Sequence, residues 1–344
     1  MEHYAGIDVS LEQSSVCVVD GAGQVIREAK VLSEPGALVG FFQKLDLPLR
    51  RIGLEAGPLS QWLHAGLAAA GFDVVLLETR HVKAALSAMP VKTDRKDARG
   101  IAQMVRMGWC RPVHCKTLAA QELRALLVAR KQLQAKRLDV ELCIRSILRG
   151  FGLKMGVVSK SGFEARVREL VQGHPMLEQV AEPMLAAREA LRVQFNVLHK
   201  QMLTIAREDA VCRRLMSVPG VGPQVALTFK SAVDDPGRFT RSKTVGAHFG
   251  LTPRRYQSGE TDVIGAISRA GDAMARTALY EAANAMLSHA TRFSSLKRWA
   301  LEVARRRGLK RAKVALARKL ASVLHRMWVD GTTFRWSKEA AMAA

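Results

Sequence analysis

The chain has 344 residues, and its 53 lysines and arginines against 31 aspartates and glutamates give a formal net charge of +22 at pH 7. This excess indicates a polyanionic partner, most simply DNA or RNA. No stretch reaches the roughly 18 apolar residues of a membrane-spanning helix, and the first residues lack the features of a signal peptide. The five cysteines include no Cys-x-x-Cys pair, which is typical of reduced thiols. We therefore expect a cytoplasmic protein with no membrane partner and no disulfide or zinc framework.

Short apolar stretches in the first third of the chain predict a mixed β-sheet. The predicted strands cover residues 4–10, 15–20, 24–32, 51–57 and 73–78, and a helix is predicted over 58–70. The first three strands follow one another as in hairpins, whereas the later ones alternate with helix. This order is typical of an α/β layer in which antiparallel and parallel strands share one sheet.

Four acidic residues in this part of the chain stand at informative positions. Asp8 lies within a strand among apolar neighbours, where an unpaired carboxylate is costly. Glu55 ends a strand that we expect to lie parallel to it, where ligands of open α/β sheets gather. Asp94 and Asp97 are three residues apart at the start of a helix predicted over 97–105, which puts them on one face. A plainer interpretation is that Asp8 is a turn residue and that the other two only complement the helix dipole.

If the four acids converge at one strand-end crevice, their mutual repulsion requires a cation. Carboxylate oxygens are the ligands that Mg²⁺ prefers, and Mg²⁺ often binds through one or two carboxylates together with substrate phosphates. Two such ions about 4 Å apart would hold the attacking and leaving oxygens of a phosphodiester. The sequence therefore predicts a divalent metal site for Mg²⁺, with Mn²⁺ as the alternative.

The sequence of the middle of the chain, residues 118–210, predicts long helices. Four apolar residues recur at a strict spacing of seven, which is typical of a coiled coil: Leu126, Leu133, Val140 and Ile147. Glycines between 150 and 162 interrupt the pattern, and helices are predicted again over 163–172 and 176–207. We expect an antiparallel helical arm or a dimer zipper, with no chemistry of its own.

The segment 215–226 carries Gly220 and Gly222 between two predicted helices. Backbone N–H groups of such a hairpin, at a helix N-terminus, can hold a DNA phosphate without reading the base sequence. The segment resembles the helix-hairpin-helix of many DNA-binding proteins. A turn with a purely structural role is the alternative.

Residues 253–260 read as a polar loop in which Arg254 and Arg255 precede Ser258, and Arg269 follows shortly after. Because arginine forks match phosphate oxygens, a hydroxyl beside several of them forms a plausible phosphate site. A loop serine is more often only a cap or a turn residue.

A basic helical pair is predicted over 297–326. Its cations suit a surface that follows a nucleic-acid backbone, although a solvated helix face would show a similar pattern. The candidate nucleic-acid contacts at its centre are Arg305, Arg306, Arg307, Lys310 and Arg311.

Several of these motifs together resemble the DEDD-type insertion-sequence transposases. They are Gly-Ile-Asp-Val-Ser around Asp8, Gly-Leu-Glu-Ala around Glu55, Thr-Asp-Arg-Lys-Asp-Ala-Arg with Asp94 and Asp97, and Pro-Arg-x-x-x-Ser-Gly with Ser258. The resemblance implies an RNase H-like N-terminal domain similar to the RuvC resolvase, over residues 1–117. It also implies a helical coiled-coil arm over 118–210 and a mainly α serine transposase domain over 211–344.

The same resemblance implies a mechanism and partners. The four acids would hold Mg²⁺, and Ser258 would attack DNA and leave a transient phosphoserine link. Many members of the family have two adjacent serines here; this chain has Gln257 and then Ser258, and Ser268 is a weaker rival. Donor and target DNA, a structured bridge RNA, and a dimer that assembles to a tetramer with a composite site between subunits are also implied.

Two other functions remain open at this stage. A Holliday-junction endonuclease of the RuvC type would need the four acids and would not need Ser258. A non-catalytic DNA- or RNA-binding protein would tolerate the loss of Asp8 or Asp94 without functional consequence.

Overall fold

The computed structural model describes residues 2–87, 91–290 and 292–336. The chain divides into two compact units, an N-terminal unit of residues 1–116 and a C-terminal unit of residues 117–344. Within the described ranges, no helix is both long and apolar enough to span a membrane. The further boundary expected near residue 210 stays a prediction.

The N-terminal unit is built on one six-stranded sheet in the order β3-β2-β1-β4-β5-β6. Strands β1, β2 and β3 are antiparallel, β4 is parallel to β1, β5 is parallel to β4, and β6 is antiparallel to β5. This mixed sheet confirms the expectation and has the strand order of an RNase H-like fold. The strands are His3–Asp8 (β1), Gln13–Asp20 (β2), Val25–Leu32 (β3), Leu49–Glu55 (β4), Val74–Leu77 (β5) and Pro112–Val113 (β6).

Helices cover both faces of this sheet. Leu38, Phe42 and Leu63 pack on one face, and Ala98 and Ile101 pack on the other. The helices on the first face are Pro35–Lys44 (α1) and Ser60–Ala69 (α2), and those on the second are Thr79–Leu86 (α3) and Asp94–Arg106 (α4). The central strands β1, β2 and β4 are therefore buried on both sides, whereas Ile26 and Leu32 of the edge strand β3 are exposed.

Two glycines allow α4 to lie directly on the sheet. Gly6 of β1 and Gly53 of β4 are paired in register across the two parallel strands. A Cβ atom at Gly6 would lie 2.2 Å from the carbonyl oxygen of Ala98 and 2.3 Å from the backbone nitrogen of Ala102. A Cβ atom at Gly53 would lie 2.4 Å from Cγ2 of Val105. At Gly6 the helix backbone therefore contacts the strand backbone directly, and at Gly53 the Val105 side chain packs on the strand backbone.

The C-terminal unit is mainly helical and contains one two-stranded ribbon. Its long helices confirm those predicted from the sequence, whereas the segment predicted as a loop over 253–260 forms a strand over Pro253–Ser258 and a turn at 259–260. The helices are Leu118–Gly150 (α5), Phe163–Val171 (α6), Pro175–Glu208 (α7), Ala210–Leu215 (α8), Pro223–Val233 (α9), Val245–His248 (α10), Ala273–Ser288 (α11), Ser295–Arg307 (α12) and Leu309–Asp330 (α13). The ribbon consists of Pro253–Ser258 (β7) and Thr261–Ile267 (β8).

Helices α5 and α7 pack side by side as an antiparallel pair, and the most deeply buried leucines of α5 are offset by one position from the predicted seven-residue stripe. Leu127 of α5 packs with Met202 near one end, and Leu148 packs with Leu185 near the other. The stripe residues from Leu126 to Ile147 are only half-buried. The buried residues of α5 nevertheless recur at multiples of seven: Leu127 and Leu148 are 21 residues apart, and Arg130 and Ile144 are 14 apart. The coiled coil stays a prediction.

Buried arginines interrupt the apolar contact between these helices. The Arg188 side chain, 4% exposed, lies 2.9 Å from carboxylate oxygens of both Glu141 and Glu164. Its guanidinium also lies 4.7 Å from the ring centre of Phe163. The pair is therefore held together by a desolvated ion-pair network as well as by apolar packing, unlike the continuous apolar seam of a coiled coil.

We expect the substitution Gly6→Ala to destabilise the N-terminal unit by about 1–3 kcal/mol, the usual cost of overpacking a close contact. Amide hydrogen exchange in α4, followed by mass spectrometry, should become faster. Gly40→Ala is the matched control, because Gly40 lies in α1 with no atom within 4 Å of an added Cβ; there we expect a gain of up to about 1 kcal/mol. Unchanged exchange in the Gly6→Ala protein would contradict the close contact.

Candidate active site

Asp8 and Glu55 end neighbouring parallel strands. Asp8 is the last residue of β1 and Glu55 the last residue of β4, and the preceding residues Ile7 and Leu54 are paired in register. Both carboxylates are half-buried. They therefore stand side by side at the carboxyl edge of the sheet, as the sequence predicted, and this edge is where open α/β sheets bind ligands.

The first turn of α4 brings two more carboxylates to this edge. Thr93 caps the helix by accepting a hydrogen bond from the Lys96 N–H at 3.3 Å. Asp94 is the first helical residue and is exposed, whereas Asp97 is buried. Because α4 lies on β1 and β4, its N-terminal turn reaches the strand ends that carry Asp8 and Glu55.

The neighbouring carboxylates perturb Asp8 and Glu55. Burial raises the pKa of Asp8 to about 6, and the negative charges of Asp97, Asp94 and Glu55 add to this increase. Burial also raises the pKa of Glu55, and the charge of Asp97 again contributes. The structure thus brings the four predicted acids into one electrostatic cluster, which we call the acid cluster.

Lys92 supplies a positive charge to the acid cluster. Its Nζ lies 3.6 Å from Oδ2 of Asp97, and its charge lowers the pKa values of Asp8 and Glu55 against the stronger effect of burial. Lys92 was not among the site residues predicted from the sequence. Its position two residues before Asp94 in the same motif was the available signal. An ammonium group therefore stands where the carboxylates need a counter-ion.

The donor set of the acid cluster fits a hard divalent cation, because it consists of carboxylate oxygens held close together. As the side chains lie, no group of three or more His, Cys, Asp or Glu residues in the described ranges forms a metal-binding arrangement. The acids are thus near enough to repel one another and are not drawn together as ligands around one point. A bound ion would have to displace Lys92 from Asp97 and tighten the cluster.

Ser258 stands at the tip of the β7–β8 ribbon. It is the last residue of β7, it is paired with Thr261, and Gly259 in the following turn has a φ of +56°. Every residue of β7 is exposed, so the Ser258 hydroxyl is not part of a packed core. The loop prediction was wrong because both ribbon faces are solvated. Without a buried face, no alternation of apolar and polar residues indicated a strand.

The arginines expected around Ser258 lie elsewhere on the ribbon. Arg255 is on the opposite face from Ser258, where its Nη2 lies 2.7 Å from Oδ2 of Asp262. Arg254 and Arg269 are at the ribbon base, roughly 13 Å from Ser258 at the usual strand rise of about 3.3 Å per residue. Alternate residues of a strand point to opposite faces, so Arg255 does not stand beside the Ser258 hydroxyl. The phosphate site at Ser258 stays a prediction.

Ser268, the rival nucleophile, lies at the other end of the ribbon from Ser258. It is half-buried and follows the last residue of β8. Its Oγ accepts a hydrogen bond from the backbone N–H of Ala270 at 3.4 Å, and its carbonyl accepts one from Arg254 at 3.3 Å. These contacts are typical of a turn residue, and they favour Ser258 as the accessible hydroxyl.

The glycines between α8 and α9 have different roles. Gly220 has a φ of +84°, and a Cβ atom there would lie 2.4 Å from the carbonyl oxygen of Ala282 in α11. Packing against α11 therefore explains Gly220. Gly222 has open space around it and directly precedes Pro223, the first residue of α9, so it remains the candidate for a phosphate contact.

The predicted basic residues of the last two helices are all exposed. Arg305, Arg306 and Arg307 form the last turn of α12, and Lys310 and Arg311 lie in the first turn of α13. Gly308, with a φ of +81°, joins the two helices. The connection between α12 and α13 therefore presents a concentrated positive charge to solvent.

Comparisons with known proteins identify the family. A sequence model of the IS116/IS110/IS902 transposase family matches residues 212–298, and a second transposase model, for DEDD enzymes of the IS110 type, matches residues 5–152. The chain belongs to the DEDD-type IS110 family of insertion-sequence transposases. It is therefore a DNA-recombining enzyme.

Similar proteins cover nearly the whole of this DEDD-type transposase. The transposase for insertion sequence element IS1111A of Coxiella burnetii is 29% identical over 336 residues, which are 96% of this chain and 90% of that protein. A probable family 20 transposase of Pseudomonas aeruginosa is 24% identical over 336 residues, 96% of this chain and 98% of that one.

Among solved structures, a Thermus thermophilus RuvC in complex with a Holliday junction substrate matches 33% of this chain and 100% of its own, with 16% identity and a TM-score of 0.26. The RNase H-like assignment rests on the strand order of the sheet and not on this match.

The raised pKa of Asp8 gives a pH dependence to the metal-free transposase. The unfolded chain loses this proton near the ordinary value of 3.8 and the folded protein near 6, so stability falls as pH rises between these values. We expect Asp8→Asn to remove part of this fall and to raise the thermal midpoint near neutral pH. Glu12→Gln, at an exposed carboxylate, is the control. An identical pH profile for wild type and Asp8→Asn would contradict the cluster.

Proposed function

We propose that this transposase breaks and rejoins DNA strands with the acid cluster and Ser258 as its two chemical centres. The observation that carries the proposal is the convergence of Asp8, Glu55, Asp94 and Asp97 at one sheet edge despite their repulsion. Perturbed carboxylates of this kind concentrate at functional sites. The exposed hydroxyl at the ribbon tip supports the second half of the proposal, because a nucleophile must reach a phosphorus atom.

In this proposal the four carboxylates hold Mg²⁺, as two ions, with Mn²⁺ as the alternative. A divalent ion bound there would polarise the scissile phosphate and stabilise its developing charge. Lys92 offsets part of the repulsion between the carboxylates in the free protein and would move aside when the ion and the phosphate enter. Asp97 is buried on α4, so its carboxylate orientation is set before substrate arrives.

Ser258 acts as the nucleophile. Its Oγ forms a bond to phosphorus, the bond from phosphorus to one sugar oxygen breaks, and that oxygen leaves with the electron pair and takes up a proton. The hydroxyl proton of Ser258 goes to solvent or to a base on the substrate side. The phosphoserine ester retains the free energy of the phosphodiester bond that was broken. Rejoining to a second DNA end therefore has a free-energy change close to zero.

The proposed partners are donor and target DNA and a structured bridge RNA encoded by the element. The net charge of +22 and the exposed cations between α12 and α13 support contacts to phosphate backbones, which carry no sequence information. Pairing by a guide RNA would then supply sequence choice. The proposal includes a homodimer that assembles to a tetramer, in which residues of different subunits act on the same DNA strand.

The experiment that tests the nucleophile uses a nicked suicide DNA substrate with the full-length protein. We expect a covalent protein–DNA adduct whose modified residue is Ser258, as mapped by mass spectrometry. Ser258→Ala should abolish both the adduct and strand transfer, whereas Ser268→Ala should retain them. An adduct at Ser268 would contradict the assignment. Cutting that persists in Ser258→Ala without any adduct would instead favour a RuvC-type endonuclease.

The metal proposal has a readout that is independent of catalysis. Adding Mg²⁺ should raise the thermal midpoint of the wild type, by an amount equivalent to about 2.7 kcal/mol at one hundred times the dissociation constant. Asp97→Asn should lose this shift, and Glu12→Gln should keep it. A shift of equal size in the Asp97→Asn protein would show that the ions bind outside the acid cluster.

A further inference from the structure

A groove of about 1170 Å³ lies within the C-terminal unit, between the base of the β7–β8 ribbon and the helices α12 and α13. Most of its exposed lining is apolar. We call it the ribbon groove, and its apolar floor is formed by Leu251, Ile264, Ile267, Trp299, Val303 and Val314. Its volume exceeds the roughly 300–1,000 Å³ of small-molecule pockets, which favours an occupant larger than one small ligand.

The rim of the ribbon groove is wholly cationic. Six basic residues and no Asp or Glu line it: Lys243, Arg307, Lys310, Arg311, Arg318 and Lys319. Within the described residues, no ion pair involves Arg307, Lys310, Arg311 or Arg318. Nζ of Lys319 lies 4.1 Å from the ring centre of Trp299. The groove therefore combines unneutralised positive charge with an indole ring and an aliphatic floor.

The cations and the apolar floor together restrict the class of molecule that the ribbon groove can bind. The cations favour a polyanionic ligand. A second copy of this chain, with its net charge of +22, is disfavoured as the occupant because like charges across an interface cost free energy. A nucleic-acid duplex satisfies the cations but hides the faces of its bases, so it leaves the apolar floor of the groove uncovered. Unpaired nucleotides offer phosphates to the rim and flat base faces to the floor, as in proteins that bind single strands.

We propose that the ribbon groove binds unpaired nucleotides of DNA or RNA, with bases against Trp299 and the aliphatic floor and phosphates on the cationic rim. The inference rests on the proposed function insofar as strand exchange creates unpaired segments. It adds a site for them at the base of the ribbon whose tip carries Ser258. Opened DNA and a single-stranded segment of a guide RNA are the two sources of the same chemistry.

Two neighbouring residues of β8 provide a matched test. Ile264 lines the groove, whereas Val263 points to the opposite face of the ribbon and does not. Both side chains are more than half exposed, so a glutamate at either position leaves the core intact. Because Ile264→Glu and Val263→Glu add the same charge to the same strand, a difference between them reports the groove and not the overall charge.

The measurement is fluorescence anisotropy with the full-length protein and labelled strands of about 12 nucleotides: oligo-dT, oligo-rU and a DNA duplex of equal length. Ile264→Glu should weaken binding of the single strands by about tenfold, within the range for loss of one stacked base. Its effect on the duplex should stay within about twofold, as should every effect of Val263→Glu. Tighter binding of oligo-rU than of oligo-dT identifies the RNA as the source, and the reverse identifies opened DNA.

A second variant tests the stacking directly. Trp299→Leu should weaken oligo-dT binding by about 5- to 100-fold and leave binding of an abasic strand of the same length unchanged. Trp62→Leu, at an exposed indole of α2, is the control. Single-strand binding that is equal to wild type in both Ile264→Glu and Trp299→Leu would overturn the proposal, and so would an equal loss for single strand and duplex. The readout is binding alone, so it succeeds or fails independently of the Ser258 adduct.

Discussion

The contact between α4 and the sheet is the constraint on which the acid cluster depends. Gly6 and Gly53 lie beside each other in β1 and β4; the backbone of α4 occupies the space that a side chain at Gly6 would need, and the side chain of Val105 fills the space at Gly53. Because α4 lies this close to the sheet, its first turn reaches the strand ends. Any larger residue at Gly6 would push the helix outward and would carry Asp94 and Asp97 away from Asp8.

That geometry has an electrostatic cost which the fold sustains. Burial and three neighbouring carboxylates raise the pKa of Asp8 to about 6, and Lys92 offsets only part of the effect. Packing of apolar residues on both sheet faces holds the cluster together against this repulsion, since the helix cannot move away without exposing its core residues. A site that is held together against its own charge favours a bound cation, which is the electrostatic basis of the proposed metal chemistry.

The C-terminal unit separates its functional groups along the β7–β8 ribbon. The tip carries Ser258 in full exposure, and the base meets the ribbon groove, where cations surround an apolar floor. Arg255 is neutralised by Asp262 on the ribbon face away from Ser258. Phosphate contacts near the base and a hydroxyl at the tip would thus engage one strand at two points roughly 13 Å apart, from the usual rise of a strand. The buried arginines between α5 and α7 keep the supporting helices in a fixed alignment.

The sequence alone determined the mixed sheet, the long helices and the positions of the four acids, because apolar periodicity and hairpin turns are local features. It did not indicate α1, whose Gly36 and Gly40 weaken helix propensity, although Leu38 and Phe42 bury that helix. The strands of the β7–β8 ribbon were not predicted because neither face of the ribbon is buried. The contact of Arg188 with Glu141 and Glu164 was not predicted because these residues are far apart in the chain. The tertiary structure decided which charges meet. Convergence of carboxylates and separation of arginines from Ser258 depend on close packing and strand direction, which no short segment of sequence encodes.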